Sequence, residues 1–520
     1  MSDQPLQQRG DNRTQRPTSQ AFRDFMANKW GDPTPPPSDR SPAADSAAEH
    51  RRQLASQFPG ERLVIPAGTP PVRSNDTDYR FRPHSAFVHL TGLSAGCEPE
   101  SVLVLHPLDQ SDAASADPSA SPHDDTHEAV LYMRPASGRD TAEFYADARN
   151  GEFWVGRRPT LEETGAVTGI RTEHIDSLTD ALAKDAGPGS VALRVIRSAD
   201  QAVNEVVEQV RTQAGFTASS DSDEGEPSGD DRLDEATSEL RLIKTPYEVD
   251  QLRKAMAATI SGFERVVAVL PRAAGNPRGE RLIETAFEAG ARIDGNGTGY
   301  DTIAAAGPNA TTLHWTANTG PVETGQLLLL DAGVEVDSFY TADLTRTLPV
   351  SGHYSPVQRR VWQAVVDAAD AAFAAAVPGQ RFRDVHDAAM QVIAQRLAEW
   401  GLLPVSAAES LTRDGQQHRR WMVHGTSHHL GIDVHDCARA RAELYLDGIL
   451  EPGMVFTIEP GLYFKPEDLA VPPEYRGIGA RCEDDVLITA DGNENLSAKL
   501  PRQPDEIEQW MARVWAESIG

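Results

Sequence analysis

The stretch GQLLLLDAGVEVDSFYTADLTRTLPV, residues 325–350, places carboxylates where an interior strand should carry only apolar groups. Asp331 directly follows four leucines, and Asp343 sits in a second strand-like run twelve residues later, so a hairpin can bring the two acids together. Two more acids are placed in the same way. Glu459 in GMVFTIEPGLYF follows Val455, Phe456 and Ile458, and Glu483 in IGARCEDDVLIT precedes Val486, Leu487 and Ile488. Burying an ionised carboxylate without a partner costs several kcal/mol, so each acid needs a cation, a hydrogen-bond network or a raised pKa. Arg346 and Arg481 are close enough in sequence to serve single acids as salt-bridge partners. Four such placements beside a histidine-rich stretch are explained more economically by a shared cation site. Four carboxylates and one imidazole are mostly hard ligands, which suit Mn²⁺ and are compatible with Fe, Co or Zn. Their formal charge of about −4 balances two divalent ions, and metals roughly 3.5–4 Å apart are the usual arrangement for two-metal hydrolysis. The expectation is a dinuclear centre.

The histidine-rich stretch is VHGTSHHLGIDVHD, Val423–Asp436, which contains His424, His428, His429 and His435. His424 and His428 have the spacing of the helical zinc motif H-E-x-x-H, but Gly425 stands where that motif needs its glutamate. Thr426, Gly431, Ile432 and Val434 are poor helix formers, so a strand or turn is expected and the helical zinc reading fails.

A chain of 520 residues is long enough for two or three domains with cores of their own. Its 49 Lys and Arg against 78 Asp and Glu give a formal charge of −29, which disfavours a nucleic-acid partner. Cys97, Cys437 and Cys482 show no C-x-x-C pairing, which argues against a disulfide framework or a thiolate zinc site and fits a reducing cytoplasm. The first fifty residues lack an apolar run of signal-peptide length, and no later segment approaches the roughly 20 apolar residues of a membrane span. A cytoplasmic protein without a membrane partner is therefore expected.

Composition predicts a disordered tail over 1–50 and an α/β domain over 51–217. The strand-like runs RLVIPAG, ESVLVLHP and EAVLYMRP alternate there with the helical DSLTDALAKDA and SADQAVNEVVEQVRTQA, and 108–128 reads as an exposed insertion. An acidic linker or insertion is predicted over 218–239, a mixed helix and strand domain over 240–505, and a helix or tail over 506–520. Thr245 and Ser355 are placed to cap helices that open with Pro246 and Pro356.

The segments TTLHWTAN, LLLLDAGVEVDSFYTADLTRTLPV, HGTSHHLGIDVHD, LEPGMVFTIEPGLYF, YRGIGARCEDDVLIT and NENLS follow one another in an order that resembles the pita-bread metallopeptidases. Within these they resemble the Xaa-Pro aminopeptidase (aminopeptidase P) family. RSNDTDYRFRPHSAFVHLTGL and FWVGRRP are similar to the creatinase-type domain that precedes the catalytic domain there. The resemblance implies an α+β architecture: a pita-bread catalytic domain after a smaller α/β creatinase-type N-terminal domain. It also implies Asp331, Asp343, His428, Glu459 and Glu483 as ligands of two divalent ions, with Asp343 and Glu483 bridging. His314, His424 and His435 match positions used around the substrate and the proton-transfer path, and Glu459 matches the acid that accepts a proton from the bridging water. Arg481 is a further candidate at the substrate, and Trp154 resembles an aromatic that closes the pocket from a neighbouring subunit. His429 has no matching role.

The activity implied is removal of the first residue from peptides with proline second, by hydroxide held between two metals, most simply Mn²⁺, with Co²⁺, Zn²⁺ or Fe²⁺ as alternatives. A prolidase, which cuts Xaa-Pro dipeptides with the same ligand set, is the nearest rival, and a non-catalytic pita-bread binding protein a more distant one. The partner implied is a peptide, and family members often form homodimers or homotetramers.

Overall fold

The structure, a computed structural model, describes residues 17, 19–31, 39–75, 77–108, 126–187, 190–216 and 227–518. Its contacts divide the chain into two compact units, one ending at Thr237 and the other beginning at Ser238.

The first unit is built on a mixed five-stranded sheet of β1 (Glu61–Pro66), β2 (Val102–Pro107), β3 (His127–Met133), β4 (Arg171–His174) and β5 (Ala192–Val195), in the order β4-β3-β2-β1-β5. The three runs read as strands from their Val, Leu and Ile content are β1, β2 and β3, which pair antiparallel through Val64 with Val104 and Val104 with Val130. Parallel partners β5 and β4 flank them. Helices Leu178–Ala183 and Gln201–Gln213 bury Leu182, Val207 and Val210 against Val64, Val104 and Val195, because their apolar residues recur at helical spacing. The strands flanking the expected insertion at 108–128 pair directly, while residues 109–125 lie outside the described set.

Two expectations about boundaries do not hold. Helices Gln20–Met26 and Ala44–Ser56 occupy part of the segment read as a disordered tail, and the second buries Ala44, Ala47, His50 and Leu54. The acidic stretch is helical over Gly229–Glu239, where Leu233 is buried and Asp230 pairs with Arg211 at 2.6 Å and accepts from the Val195 amide at 2.9 Å. Small and charged residues hid both helices from a reading based on large apolar side chains.

The second unit pairs two sets of helices with short antiparallel strands. Helices α1 (Pro246–Ala273) and α2 (Gly279–Asp294) pack together, as do α3 (Pro356–Ala375) and α4 (Phe382–Glu399). Thr245 and Ser355 cap α1 and α3 as expected, each in a reciprocal capping box with the residue three positions on. Strand β7 (Leu327–Asp331) lies between β6 (Ile303–Ala306) and β8 (Thr345–Pro349), with Asp331 opposite both Ile303 and Thr345. Downstream, β9 (Val455–Ile458) pairs with β12 (Asp484–Thr489), and β10 (Gly461–Phe464) pairs with β11 (Ile478–Arg481). A bridge between Thr345 and Glu483 joins the upstream and downstream strands. The C-terminal helix α5 (Pro504–Ser518) buries Ile507, Trp510, Met511 and Val514. Among the described residues no helix is long and apolar enough to cross a membrane, and Cys97, Cys437 and Cys482 are free thiols.

Candidate metal centre

The four leucines of β7 are nearly inaccessible, and their burial contributes roughly 6–12 kcal/mol at about 1.5–3 kcal/mol each, enough to hold a strand that ends in a buried carboxylate. The chain turns back within a few residues to bring Asp343 beside Asp331. Gly333 permits this close return, because a Cβ there would sit 1.7 Å from the Ala342 carbonyl oxygen. The anticipated hairpin is thus the β7–β8 pair, with Asp343 just ahead of β8. Glu459 follows the end of β9, and Glu483 occupies the position between β11 and β12.

Of the strand or turn expected for the histidine-rich stretch, the structure shows the turn: the stretch is neither helix nor regular strand. The His428 amide donates to Thr457 Oγ1 at 3.1 Å, and the Thr457 amide donates to the His428 carbonyl at 2.9 Å, which ties this segment to β9. His428 Nε2 then lies 3.3 Å from Asp343 Oδ2, 3.7 Å from Glu459 Oε1 and 4.0 Å from Glu483 Oε1. Asp343, His428 and Glu483 each offer a ligand atom within 4.8 Å of the others. Asp331 joins the group through Tyr300, whose hydroxyl lies 2.7 Å from Asp331 Oδ1 and 2.5 Å from Asp343 Oδ1. Arg481 pairs with the other oxygen of Asp331, while Thr345 Oγ1 donates to Glu483 Oε2 at 2.7 Å.

The electrostatics show what this cluster needs. Burial raises the Asp331 carboxyl, with Arg481 pulling down and Asp343 pushing up. Burial, followed by the charges of Asp343, Glu459 and Asp331, holds Glu483 far above the usual carboxylate range. Glu459 is raised to about 7, chiefly by burial and against the pull of His428 and Arg481. Burial alone would depress His428, but the Asp343 hydrogen bond and the Glu459 charge hold it at about 9. Three buried carboxylates and the partly buried Glu459 face one guanidinium and one imidazole, so the cluster is short of positive charge. A hard, oxygen-rich donor set with that deficit fits divalent cations.

These groups line one cavity of about 700 Å³ together with His314, His424, His435 and Arg481. Nine of the ten residues singled out in the sequence therefore meet there. His314 is exposed at the wall, on a segment secured by buried Glu280, which accepts from the Ala306 amide at 2.8 Å and Trp315 Nε1 at 2.9 Å. His435 stands edge-on to His428 with ring centres 4.5 Å apart, and its neighbour Asp436 is anchored by Arg241 at 2.7 Å. His424 is kept neutral, pushed down to about 3 by burial and then by Arg481. Its Nδ1 lies against the Gly425 carbonyl at 2.5 Å and its Nε2 against Tyr463 OH at 2.8 Å.

Trp154 belongs to the first unit. It is 54% exposed on the short helix Glu152–Val155, and its Nε1 donates to the Tyr145 carbonyl at 2.9 Å. His429 is buried and stacks on Phe382 with ring centres 4.7 Å apart. The sequence reading assigned nothing to Tyr300, Thr345 or Tyr463. Their hydroxyls reach the carboxylates, or through Arg481 and His424 the cavity wall, only once the strands are paired.

The match to known proteins covers both units. Residues 250–490 fit the model of metallopeptidase family M24, and residues 47–192 that of the aminopeptidase P N-terminal domain. Xaa-Pro aminopeptidase 1 of Streptomyces coelicolor is 46% identical over 515 residues, 99% of this chain and 96% of that protein. The Xaa-Pro aminopeptidase of Escherichia coli is 33% identical, over 89% of this chain and 97% of its own. Among solved structures, Pseudomonas aeruginosa aminopeptidase PepP superposes with a TM-score of 0.76 at 28% identity, covering 92% of this chain and 99% of its own. Zn-substituted E. coli aminopeptidase P in complex with product gives 0.73 at 28% identity, covering 91% and 99%. With its expected α+β plan of an N-terminal domain followed by a pita-bread catalytic domain, the chain belongs to metallopeptidase family M24, in the branch that carries the aminopeptidase P N-terminal domain.

Proposed function

We propose that the chain is an exopeptidase that releases the N-terminal residue from peptides with proline in the second position. The observation that carries this is the meeting of Asp331, Asp343, His428, Glu459 and Glu483 in one cavity of a chain 46% identical to an Xaa-Pro aminopeptidase along almost its whole length. These five residues would hold two divalent ions, with Mn²⁺ the preferred metal and Co²⁺, Zn²⁺ or Fe²⁺ able to substitute. When bound, such ions would acidify a water and polarise the scissile carbonyl.

The remaining chemistry belongs to the side chains. Glu459, which lines the cavity 3.7 Å from His428 Nε2, would take a proton from the water and deliver it towards the proline nitrogen. His435, beside His428 and open to the cavity, donates to the oxygen that becomes negative in the tetrahedral intermediate. His424, with both ring nitrogens already engaged, supports this role from behind through Tyr463 and Arg481, whose Nη1 donates to Tyr463 OH at 3.1 Å. His314 at the cavity wall and Trp154 on the first unit are assigned to peptide binding, Trp154 from a neighbouring subunit of a homodimer or homotetramer. The three free thiols suit a reducing cytoplasm.

Purified protein, stripped of metal and reloaded with Mn²⁺, should cleave Xaa-Pro-Xaa tripeptides and lose that activity in Asp343→Ala. Cleavage of Xaa-Pro dipeptides alone would make it a prolidase instead.

A further inference from the structure

The segment Val423–His428, which carries both His424 and His428, is bonded to β9 on one side. On its other side lies His386 of α4. His386 Nε2 is 3.0 Å from Arg419 Nη1, and His386 Nδ1 is 3.1 Å from Thr426 Oγ1. A guanidinium only donates, so Nε2 must accept, and the neutral ring's proton resides on Nδ1 and is donated to Thr426. Arg419 then uses its second nitrogen to donate to the Val423 carbonyl at 2.6 Å. Thr426 is fully buried, and its carbonyl accepts the Glu459 amide at 2.8 Å. One imidazole thus reaches the start of the segment through Arg419, its middle at Thr426 and, through the Thr426 carbonyl, the backbone of Glu459.

We propose that His386 is a positioning residue for the metal centre, fixing the register in which residues 423–428 present His424 and His428. The ring does not serve to fill space. Its surroundings include a second cavity of about 560 Å³, lined by His386, Met390, Gln391, Leu411, Gln416 and His418. Burial, then the Arg419 charge, pushes the imidazole down to about 4, which keeps the required neutral form at physiological pH. Among the described residues no carboxylate pairs with Arg419, so the imidazole and the Val423 carbonyl are its side-chain acceptors.

This inference rests on the proposed metal-dependent function, and two variants test it. His386→Leu removes both hydrogen bonds. His386→Gln restores them, its oxygen accepting from Arg419 and its amide donating to Thr426. Partners that orient metal ligands typically change affinity by about 10–100-fold when lost. Calorimetric titration of the metal-free proteins with Mn²⁺ should show that loss for His386→Leu and a value within about 3-fold of wild type for His386→Gln. Hydrogen exchange in the metal-free state should be faster at residues 423–428 and at the Glu459 amide in the leucine variant only. Unchanged Mn²⁺ affinity and exchange in His386→Leu, or equal impairment of both variants, would overturn the proposal. If His386→Leu does not fold, Thr426→Val decides instead: weaker Mn²⁺ binding supports the proposal, and wild-type binding overturns it. Wild-type protein that binds no Mn²⁺ refutes the underlying functional reading rather than this positioning role.

Discussion

Replacing Arg346 by methionine should unlock the strands that carry two of the candidate ligands. Arg346 is fully buried and joins the residue after Glu483 to the strand after Asp343. It pairs with Asp484 Oδ1 at 2.6 Å and donates to the carbonyls of Glu483 at 2.7 Å, Thr345 at 2.9 Å, Pro501 at 2.9 Å and Leu500 at 3.2 Å. Breaking a buried ion pair by removing one partner costs about 3–5 kcal/mol, and each carbonyl left without a donor adds roughly 1–3 kcal/mol where water cannot enter. A total of at least about 5 kcal/mol follows, comparable with the whole stability of a marginal domain. At about 2–4 °C per kcal/mol for a domain of this size, the unfolding midpoint should fall by roughly 10–20 °C. Differential scanning calorimetry at neutral pH measures this directly. The double variant Arg346→Met with Asp484→Asn should recover part of the loss, since in the single variant the buried Asp484 charge keeps only its longer pair with Arg502 at 3.5 Å. A single variant that melts within about 2 °C of wild type would show that Arg346 does not lock these strands, because that shift corresponds to no more than about 1 kcal/mol.

Three further outcomes follow from the geometry. Tyr300→Phe removes the hydroxyl shared by Asp331 and Asp343 and should weaken Mn²⁺ binding by about 10–100-fold in calorimetric titration; an unchanged affinity would exclude a role for that hydroxyl in setting the ligands. His429→Phe should retain metal binding and peptide cleavage, because His429 stacks on Phe382 rather than facing the cavity, and its stability should change by less than about 1.5 kcal/mol; loss of metal would make His429 a ligand after all. In the first unit, His106 is pushed down to about 3 by burial and then by Arg62, so the folded state binds fewer protons than the unfolded state, whose histidine titrates near 6.5. Its contribution is present above pH 6.5 and is lost as pH falls towards 3. Thermal unfolding between pH 7 and 5 should therefore destabilise wild type more than His106→Gln, and parallel slopes would contradict that assignment.

Much of the catalytic unit was legible because its acids break strongly apolar strands. Asp331 after four leucines and Glu459 after Val455–Ile458 are conspicuous, since burial of a carboxylate demands a compensating charge. The hydroxyl partners were not legible. Tyr300, Thr345 and Tyr463 look like ordinary strand-forming residues, and their contacts depend on pairings such as Asp331 with Thr345 that no local spacing reveals. His386 was hidden for a similar reason, lying forty residues from Thr426, a separation that no local spacing bridges. The helices Ala44–Ser56 and Gly229–Glu239 were missed because alanine and acidic residues supply their buried faces along with single leucines. Trp154 differs: its aromatic type was evident in FWVGRRP, and it stands exposed with Phe153 and Val155 on its short helix.

Metal held in the carboxylate-rich cavity is what should drive hydrolysis before proline. The most direct test is to titrate Mn²⁺ into metal-free protein while following cleavage of an Xaa-Pro-Xaa tripeptide. Activity should be absent without metal, saturate at two ions per chain and release the first residue alone. Full activity in chelator, or cleavage unaffected by Asp343→Ala, would contradict this.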